Sequence, residues 1–332
     1  MNILCSKGDP KLAVVHVAEF RNDQKYLAEF VESLSGSASR KEKWVIIVSS
    51  QFGCPVGCAM CDAGDHFHGN LTKDELLAQI DFIIDAHYPD RRVPVKKFKV
   101  QFARMGEPML NPAVLEALEE MRSRYEAPGL MPCISTVAPC GAEAQFERIL
   151  EIKNKHYRGN FQMQFSIHST DEKVRDLLMP ARKWTLEQIA EYGKRFHGAG
   201  DRKVTLNFAL TPKNPIDVEK IRAIFDSKHF AIKLTPINPT FRASENRLVA
   251  EFGEHGMQLL EKFRAAGFET IESIGELEEN IIGSNCGQVL ALWKKSNESP
   301  ESSEVGTRKC EVGSPGLDDS MTLRLYDFRT HS

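Results

Sequence analysis

The chain has no long hydrophobic run and no marked excess of charge of either sign. None of its apolar stretches approaches the roughly 20 residues that cross a bilayer, and the N-terminal sequence MNILCSKGDPK lacks the apolar segment of a signal peptide. We therefore expect a cytoplasmic protein with no membrane partner. The formal net charge is −3, so a nucleic acid would have to be bound by local basic patches.

A disulfide-rich composition is also missing, since the 332 residues contain only eight cysteines. Five of them are scattered, unlike the framework of a small secreted protein, and we expect reduced thiols. The other three follow the apolar run 44–48 with CxxxCxxC spacing and are Cys54, Cys58 and Cys61. Three thiolates can hold an iron–sulfur cluster and leave one iron open to a substrate or cofactor.

The same three cysteines leave a second interpretation open. His66 and His68 follow Cys61 within a few residues, and zinc accepts three sulfurs and one imidazole nitrogen. A zinc-stabilised nucleic-acid-binding protein is therefore the alternative from another functional class. Zinc more often takes two separated cysteine pairs, so the spacing favours the iron–sulfur cluster.

Strand and helix signals alternate from residue 44 onward. The predicted strands are 44–49, 95–102, 133–136, 161–167, 204–210 and 232–235. The predicted helices are 72–86, one with Asn111 as N-cap and Pro112 as first residue, 142–153, 185–197, 216–226 and 254–266. Capping boxes at Thr72–Glu75 and Thr185–Gln188 support two of these helices. Six βα units predict an α/β fold with a parallel sheet, either doubly wound or curled into a partial barrel.

Function in such a sheet is expected at the carboxyl ends of the strands. The cysteine loop follows the first strand, and other unusual residues follow later strands: Gly106, Glu107, Ser135, Ser166, His168 and Asn238. We divide the chain into a short N-terminal extension (1–43), the barrel (44–295) and a C-terminal tail (296–332). The tail is rich in Ser, Glu, Gly and Pro, and we expect it to be disordered.

Five ordered motifs carry a resemblance to a known family: SSQFGCPVGCAMCDAG, MGEPMLNP, CISTVAPCG, SIHSTDEKVRDLLMP and NCGQ. With TPINP at 235–239, they resemble the RlmN/Cfr family of RNA adenine methyltransferases within the radical S-adenosylmethionine (SAM) superfamily. The match covers about residues 44–295, and several ordered motifs are more specific than one. The resemblance implies a partial (βα)6 barrel.

The resemblance also implies cofactors and residue roles. Cys54, Cys58 and Cys61 would ligate a 4Fe-4S cluster whose open iron binds SAM, which an electron from a donor such as flavodoxin or ferredoxin cleaves. Gly106, Glu107, Ser135, Ser166, His168 and Asn238 match SAM-contacting positions. Cys286 matches the family's catalytic cysteine, which takes a methyl group from one SAM. The radical made from a second SAM would then remove a hydrogen atom from that methyl group, and the resulting methylene carbon would be transferred to an adenine of RNA.

Two departures from the family pattern stand out. Relatives place a cysteine seven residues before the first cluster ligand, where it releases Cys286 from the RNA adduct, and this chain has Ile47 there. Cys140 and Cys5 are the candidate substitutes. Glu32 and Glu29 are the candidate counterparts of the family's glutamate base.

The second departure is the length before the barrel. Most relatives carry a helical N-terminal domain there, and this chain has 43 residues. A different substrate therefore stays open, and with it a radical SAM reaction without methyl transfer.

Overall fold

The computed structural model describes residues 1–34, 39–64, 67–212, 214–273 and 287–297. Within these ranges ten strands form one sheet. They are β1 (Asn2–Asp9), β2 (Ala13–Glu19), β3 (Leu27–Leu34), β4 (Lys43–Val48), β5 (Lys97–Phe102), β6 (Leu130–Thr136), β7 (Gln162–Ser166), β8 (Val204–Leu210), β9 (Phe230–Pro236) and β10 (Glu269–Glu272).

Eight of the helices among the described residues lie between strands in the chain, and the ninth follows β10. They are α1 (Lys73–His87), α2 (Ala113–Arg124), α3 (Glu143–His156), α4 (Glu172–Leu178), α5 (Leu186–Phe196), α6 (Val218–Ile224), α7 (Phe241–Glu245), α8 (Gly253–Ala265) and α9 (Gln288–Asn297). Short 3-10 turns cover Asp62–Gly64 and Pro108–Leu110. No helix among the described residues is both long and apolar enough to span a membrane.

The spatial order of the strands is their order in the chain, β1 to β10. Strands β4 to β10 are parallel, and β1 to β4 pair antiparallel. A doubly wound sheet reverses its strand order at a switch point, so the uninterrupted order selects the partial barrel from our two alternatives. The predicted mixed α/β fold is confirmed.

The N-terminal residues differ from the short extension we predicted for 1–43. They form β1, β2 and β3, which continue the barrel sheet from the free edge of β4. The sequence signal is weak because polar residues sit inside these strands: His16 and Glu29 are both buried. Both side chains are bonded to residues on other strands or helices. Because polar residues therefore occupy buried positions, the alternation of polar and apolar residues that indicates a strand is broken.

The helix starts follow local capping chemistry. Both predicted capping boxes are present: Thr72 caps α1 and Thr185 caps α5. At the start of α2, Asn111 Oδ1 accepts from the Ala113 amide at 3.1 Å, and Pro112 has helical dihedral angles, φ −57° and ψ −28°. Asn111 thus caps this helix as predicted. The Asn111 side-chain nitrogen also donates to the carbonyl oxygens of Ser50 and Leu71, so this side chain ties the rim together.

The main core lies between the sheet and its helices, and a second apolar cluster lies on the opposite face. In the second cluster, Val289, Leu290 and Trp293 of α9 pack with residues of β1, β2 and β3. Helix α9 therefore returns from the end of the barrel to its first strands. The predicted tail lies outside the described residues from 298 onward.

Candidate active site

The cysteine loop after β4 is held in place by its backbone. The Ala59 amide donates to Leu178 O at 2.9 Å, at the end of α4. The Thr240 hydroxyl donates to Met60 O at 2.9 Å, which joins the loop to the segment after β9. Contacts from two distant parts of the chain therefore fix the loop that carries the three cysteines.

Asp62, directly after the third cysteine, adds a further link. Its carboxylate accepts from the amides of Phe241 and Arg242 at 3.1 and 2.9 Å, so it caps the first turn of α7. Sequence reasoning missed Asp62 because its partners lie about 180 residues away. The side chain is buried, and it fixes the direction in which the chain leaves Cys61.

The three loop cysteines are half-buried. Burial raises the pKa of Cys58 to about 12, and the neighbouring charges of Cys54 and Glu107 raise it further. These two groups therefore lie close to the Cys58 sulfur. Cys54 packs against the apolar clusters on both sides of the loop, Cys58 against one and Cys61 against the other. The three thiols thus line one rim in an apolar setting.

This donor set fits an iron–sulfur cluster better than one metal ion. Zinc draws its four ligands to about 2.0–2.3 Å from one point. Within the described ranges, no three His, Cys, Asp or Glu side chains converge in that way. A 4Fe-4S cluster distributes its cysteine ligands over different irons. His66, one candidate zinc ligand, lies outside the described residues.

Glu107 follows β5 and is fully buried beside the cysteine loop. Its carboxylate accepts from the Thr136 hydroxyl at 2.6 Å, the Val137 amide at 2.9 Å and the Met109 amide at 3.0 Å. Burial raises its pKa to about 7, against the effect of these donors. An ionised carboxylate has about four acceptor positions, so one remains for a cationic ligand.

Gly106 has the close backbone approach that the sequence indicates, and its neighbour is Gln51. The glycine has φ +95°, and an added Cβ would lie 2.6 Å from the Gln51 Cβ. Gln51 Oε1 accepts from the Glu107 amide at 2.8 Å. The glycine therefore lets Gln51 hold Glu107 in position, and Gln51 is a second residue that sequence reasoning missed.

His168 follows β7 with φ +61° and a buried ring. Burial lowers its pKa to about 4, and the charge of Arg175 lowers it further. Nδ1 accepts from the Ala209 amide at 3.0 Å, which assigns the proton of the neutral ring to Nε2. His168 thus presents one N–H donor at the rim.

The remaining predicted SAM contacts divide into two groups. Ser135 and Ser166 lie at the carboxyl ends of β6 and β7, and the Ser135 hydroxyl accepts from Gln164 Nε2 at 3.2 Å. Asn238 is exposed in the loop after β9. The structure gathers the cysteine loop, Glu107, His168 and the two serines at the carboxyl ends of the strands.

Cys286 lies outside the described residues, and the next residue shows where the chain runs. Gly287 has φ +83°, and a Cβ added to it would lie 2.4 Å from Ala63 N and 2.6 Å from Asp62 C. The residue after Cys286 therefore packs on the turn that follows Cys61. A peptide bond joins Cys286 to this contact.

Glu29 holds the same segment from the other side. Its fully buried carboxylate accepts from the amides of Gly287 and Leu290, the latter at 2.9 Å, and pairs with Arg104 at 2.7 Å. Burial raises its pKa, while Arg104 opposes the shift. Of the two candidate counterparts of the family base, Glu29 thus lies at the site. Glu32 is bonded to Trp44 and His87, at the end of β3 away from the rim.

Cys5 differs from our expectation of reduced thiols, because it is disulfide-bonded. It is buried in the apolar cluster that includes Ile47, Cys54 and Cys61. Across the sheet Cys5 pairs with Val17, which pairs with Glu29. Paired residues of neighbouring strands point to the same face, so Cys5 stands in the same row as the carboxylate that holds Gly287. Cys140 is exposed beyond β6.

Comparison with known proteins agrees with this geometry. The family model of the radical SAM superfamily matches residues 48–224, more than half of the chain, and the chain belongs to that superfamily. Membership implies a 4Fe-4S cluster and SAM. Within it, the chain is 28% identical over 258 residues to a protein of Desulfitobacterium hafniense strain Y51 named "Probable dual-specificity RNA methyltransferase RlmN", covering 75% of this chain and 68% of that protein.

One further relative and one solved structure also match the chain. The dual-specificity RNA methyltransferase RlmN of Helicobacter hepaticus is 24% identical over 262 residues, with 75% of this chain and 69% of that protein covered. The crystal structure of a radical SAM methyltransferase from Sphaerobacter thermophilus matches with a TM-score of 0.68 at 19% identity, covering 86% of this chain and 80% of that one. The structural match supports the fold.

Proposed function

We propose that this radical SAM enzyme transfers a methyl-derived carbon through Cys286 to an adenine of RNA. The observation that carries the proposal is the packing of Gly287 on Asp62 and Ala63. It holds the residue next to Cys286 against the residues next to Cys61. A cysteine that takes a methyl group from SAM has to lie near the cofactor bound at that loop. The distant relatives named RNA methyltransferases support RNA as the substrate.

The rim residues then have distinct roles. Cys54, Cys58 and Cys61 would hold the cluster, which supplies a one-electron reduction of SAM when both are bound. The remaining acceptor position of Glu107 would receive the ammonium group of SAM, since charge-assisted hydrogen bonds are the stronger ones. The neutral His168 would donate from Nε2. The apolar walls around the loop would exclude water from the reacting groups.

Glu29 fits the role of a positioning residue for Cys286. Two backbone amides and the buried Arg104 hold its carboxylate in place. The carboxylate lies at the N-terminus of α9, where a negative charge is stabilised by the unpaired amides. This arrangement fixes the start of α9 and hence the peptide that leads back to Cys286.

Cys5 fits the role of the cysteine that relatives have at the position of Ile47, which releases Cys286 from the RNA adduct. It shares the apolar cluster with Ile47 and stands in register with Glu29. A thiol that releases Cys286 ends each turnover in a disulfide, and of the six described cysteines Cys5 is the one in a disulfide. The exposed Cys140 has none of these relationships.

The test is peptide mass spectrometry on anaerobically reconstituted full-length protein incubated with SAM labelled in its methyl group. Label on Cys286, and labelled methyladenine in RNA after a reductant is added, are the expected results. Cys140→Ser is the control, because it removes an exposed thiol. An unlabelled Cys286 in protein that cleaves SAM would overturn the proposal.

The same experiment also distinguishes two alternative functions. Release of 5'-deoxyadenosine with no methylated product would favour a radical reaction on another substrate, which needs no cysteine at the position of Ile47. A colourless protein with zinc and no sulfide would favour the zinc-stabilised nucleic-acid-binding protein. Membership in the radical SAM superfamily argues against the zinc alternative.

A further inference from the structure

Basic side chains line the inner face of the sheet at the end opposite the cysteine loop. Along β5, Phe98, Val100 and Phe102 are buried in the core beneath the helices, whereas Lys97 and Lys99 are half-buried. Side chains alternate between the faces of a strand, so both lysines point into the lumen of the partial barrel. Lys43 is paired with Lys97 across β4 and β5 and faces the same side.

Lys233 joins this group from the far end of the sheet. It lies on β9 between Ile232 and Leu234, which are buried beneath the helices, so it too faces the lumen. Four strand spacings separate β5 from β9, about 19 Å in a flat sheet. Burial nevertheless acts with the charges of Lys99 and Lys43 to lower the pKa of Lys233 to about 8. The curvature of the barrel brings these ammonium groups together.

Cys133 marks the centre of the group. Its buried thiol lies on β6, and the positive charges that act on it are those of Lys97, Lys99, Lys233 and Arg202. Arg202 is fixed by its Nε, which donates to Gln162 Oε1 at 2.9 Å. We call Lys43, Lys97, Lys99, Lys233 and Arg202 the lumen cation cluster.

Carboxylates do not balance the charge of three of these lysines, Lys97, Lys99 and Lys233. Across the described ranges, no Asp or Glu forms an ion pair with Lys97, Lys99 or Lys233, whereas the neighbouring exposed Lys96 pairs with Glu42 at 2.9 Å. Charged groups that are partly removed from water and repel one another cost free energy. The arrangement is therefore unfavourable by itself and becomes favourable when a multivalent anion is bound.

We propose that the lumen cation cluster binds a phosphate group of the substrate. Converging lysines and an arginine held by a hydrogen bond are the side chains that bind phosphate oxygens. Cys133 lies three residues before Thr136 on β6, about 10 Å along the strand, and Thr136 contacts Glu107 at the rim. The phosphate would thus lie below the cofactor, with the reacting part of the same molecule towards the rim.

The inference deepens the proposed function, on which the assignment to a substrate rests, because it assigns a phosphate of that substrate to the lumen cation cluster. Two sources share this chemistry: a free nucleotide and the phosphates of an RNA strand. Binding of a phosphate probe requires neither SAM cleavage nor methyl transfer. The phosphate site and the proposed reaction can therefore be refuted by separate experiments.

The test is calorimetric titration of the reconstituted full-length protein with inorganic pyrophosphate at low ionic strength. We expect saturable binding that Lys99→Gln and Lys233→Gln each weaken at least tenfold. Lys96→Gln makes the same change of charge at the exposed neighbour and should alter binding less than twofold. Absence of binding to the unchanged protein, or equal weakening by Lys96→Gln, would overturn the site.

A thermal-unfolding measurement distinguishes a variant that has lost the phosphate site from one that does not fold. Pyrophosphate should raise the Tm of the unchanged protein and leave that of folded Lys99→Gln or Lys233→Gln unchanged, since a ligand stabilises only a state that binds it. An equal rise in both folded variants would contradict the inference. Lys99→Arg, which keeps the charge, should retain binding within about threefold.

Competition against pyrophosphate then identifies the source of the phosphate. Displacement by adenosine monophosphate and not by adenosine would identify a nucleotide. Displacement only by an RNA oligonucleotide would identify strand phosphates, and displacement by neither would overturn the assignment to the substrate. Labelled Cys286 without pyrophosphate binding would remove the phosphate site and leave the proposed function intact.

Discussion

The carboxylate of Glu29 accepts a hydrogen bond from the Leu290 amide at 2.9 Å, across 261 residues of sequence. This bond joins β3, at the start of the sheet, to α9. The same carboxylate bonds the amide of Gly287 and pairs with buried Arg104. One side chain thus connects the beginning of the chain, the rim after β5 and the segment that follows Cys286.

Replacement of Glu29 tests this connection. Glu29→Ala would leave the Arg104 charge buried without its partner, and removing one member of a buried ion pair costs about 3–5 kcal/mol. We expect urea unfolding to show a loss of that size together with slower labelling of Cys286. Glu32→Gln is the control, because it keeps an acceptor for Trp44 Nε1 and removes only partly exposed ion pairs, worth about 1 kcal/mol or less. Equal losses in the two variants would contradict the role of Glu29.

The packing of Gly287 can be tested against a glycine of the same backbone conformation. Gly287→Ala would bring a Cβ to 2.4 Å from Ala63 N, whereas Gly200, with φ +82°, has nothing within 4 Å of an added Cβ. The positive φ costs both alanine variants about 1–2 kcal/mol, so their difference isolates the contact. We expect Gly287→Ala to label Cys286 at least tenfold more slowly than Gly200→Ala. Similar rates would show that the contact does not position Cys286.

The raised pKa of Glu107 gives a pH dependence with a defined sign. Its pKa is about 7 in the folded protein and 4.5 ordinarily, so the folded state binds the proton more tightly. Between pH 4.5 and 7 this group lowers the free energy of unfolding as the pH rises, by about 3 kcal/mol in total. Glu107→Gln should remove this slope in urea unfolding measured from pH 5 to 8. An unchanged slope would contradict the burial of the charge.

The same residue predicts how SAM binding depends on pH. If ionised Glu107 accepts the ammonium group, affinity should rise as the pH passes from 6 to 8, since the carboxylate then loses its proton. Equilibrium dialysis with labelled SAM measures this affinity. We expect Glu107→Gln to bind at least tenfold more weakly at pH 8 and to lose the dependence. A variant that keeps the pH profile would assign the profile to another group.

His168 contributes in the opposite direction. Its pKa is about 4 in the folded protein and 6.5 ordinarily, so the unfolded state takes up the proton first. This group lowers the free energy of unfolding as the pH falls from 6.5 to 4, by about 3 kcal/mol. His168→Asn should remove that acid-side loss in urea unfolding. A variant as acid-sensitive as the unchanged protein would contradict a neutral buried ring.

The role of Cys5 can be tested by moving the thiol. Cys5→Ala should leave Cys286 attached to RNA after one turnover, because no second thiol releases it. Adding Ile47→Cys should restore turnover, since Ile47 packs in the same apolar cluster as Cys5. Gel electrophoresis of the protein–RNA adduct measures both effects, and Cys140→Ala serves as the control. Repeated turnover by Cys5→Ala would exclude Cys5 from this role.

Local sequence signals predicted the parallel part of the fold well. Strand β8 begins at Val204 and ends at Leu210 as predicted, and the capping boxes at Thr72 and Thr185 are formed. These features depend on a few neighbouring residues, so a single sequence contains them. The six-unit alternation of strand and helix then restricts the fold to few topologies.

The parts that were missed depend on distant partners. Strand β3 has Glu29 in its centre, and only Arg104 and the amides of α9 explain why a carboxylate can be buried there. Thr136 and Gln51 support Glu107 from two other strand ends. The short helices α4 and α7 are also defined mainly by their neighbours. The helix and strand propensities of neighbouring residues do not predict such contacts.

The consecutive strand order has a consequence for how the protein forms during synthesis. Each strand from β1 to β10 can add to the edge left by the one before it, so the sheet can assemble while the ribosome is still adding residues. Helix α9 is different, because it packs on the first strands after about 250 further residues have been made. The contact of Gly287 with Asp62 and Ala63 therefore forms only when translation of the barrel is complete, and a nascent chain holds Cys54, Cys58 and Cys61 before the segment after Cys286 packs against their loop.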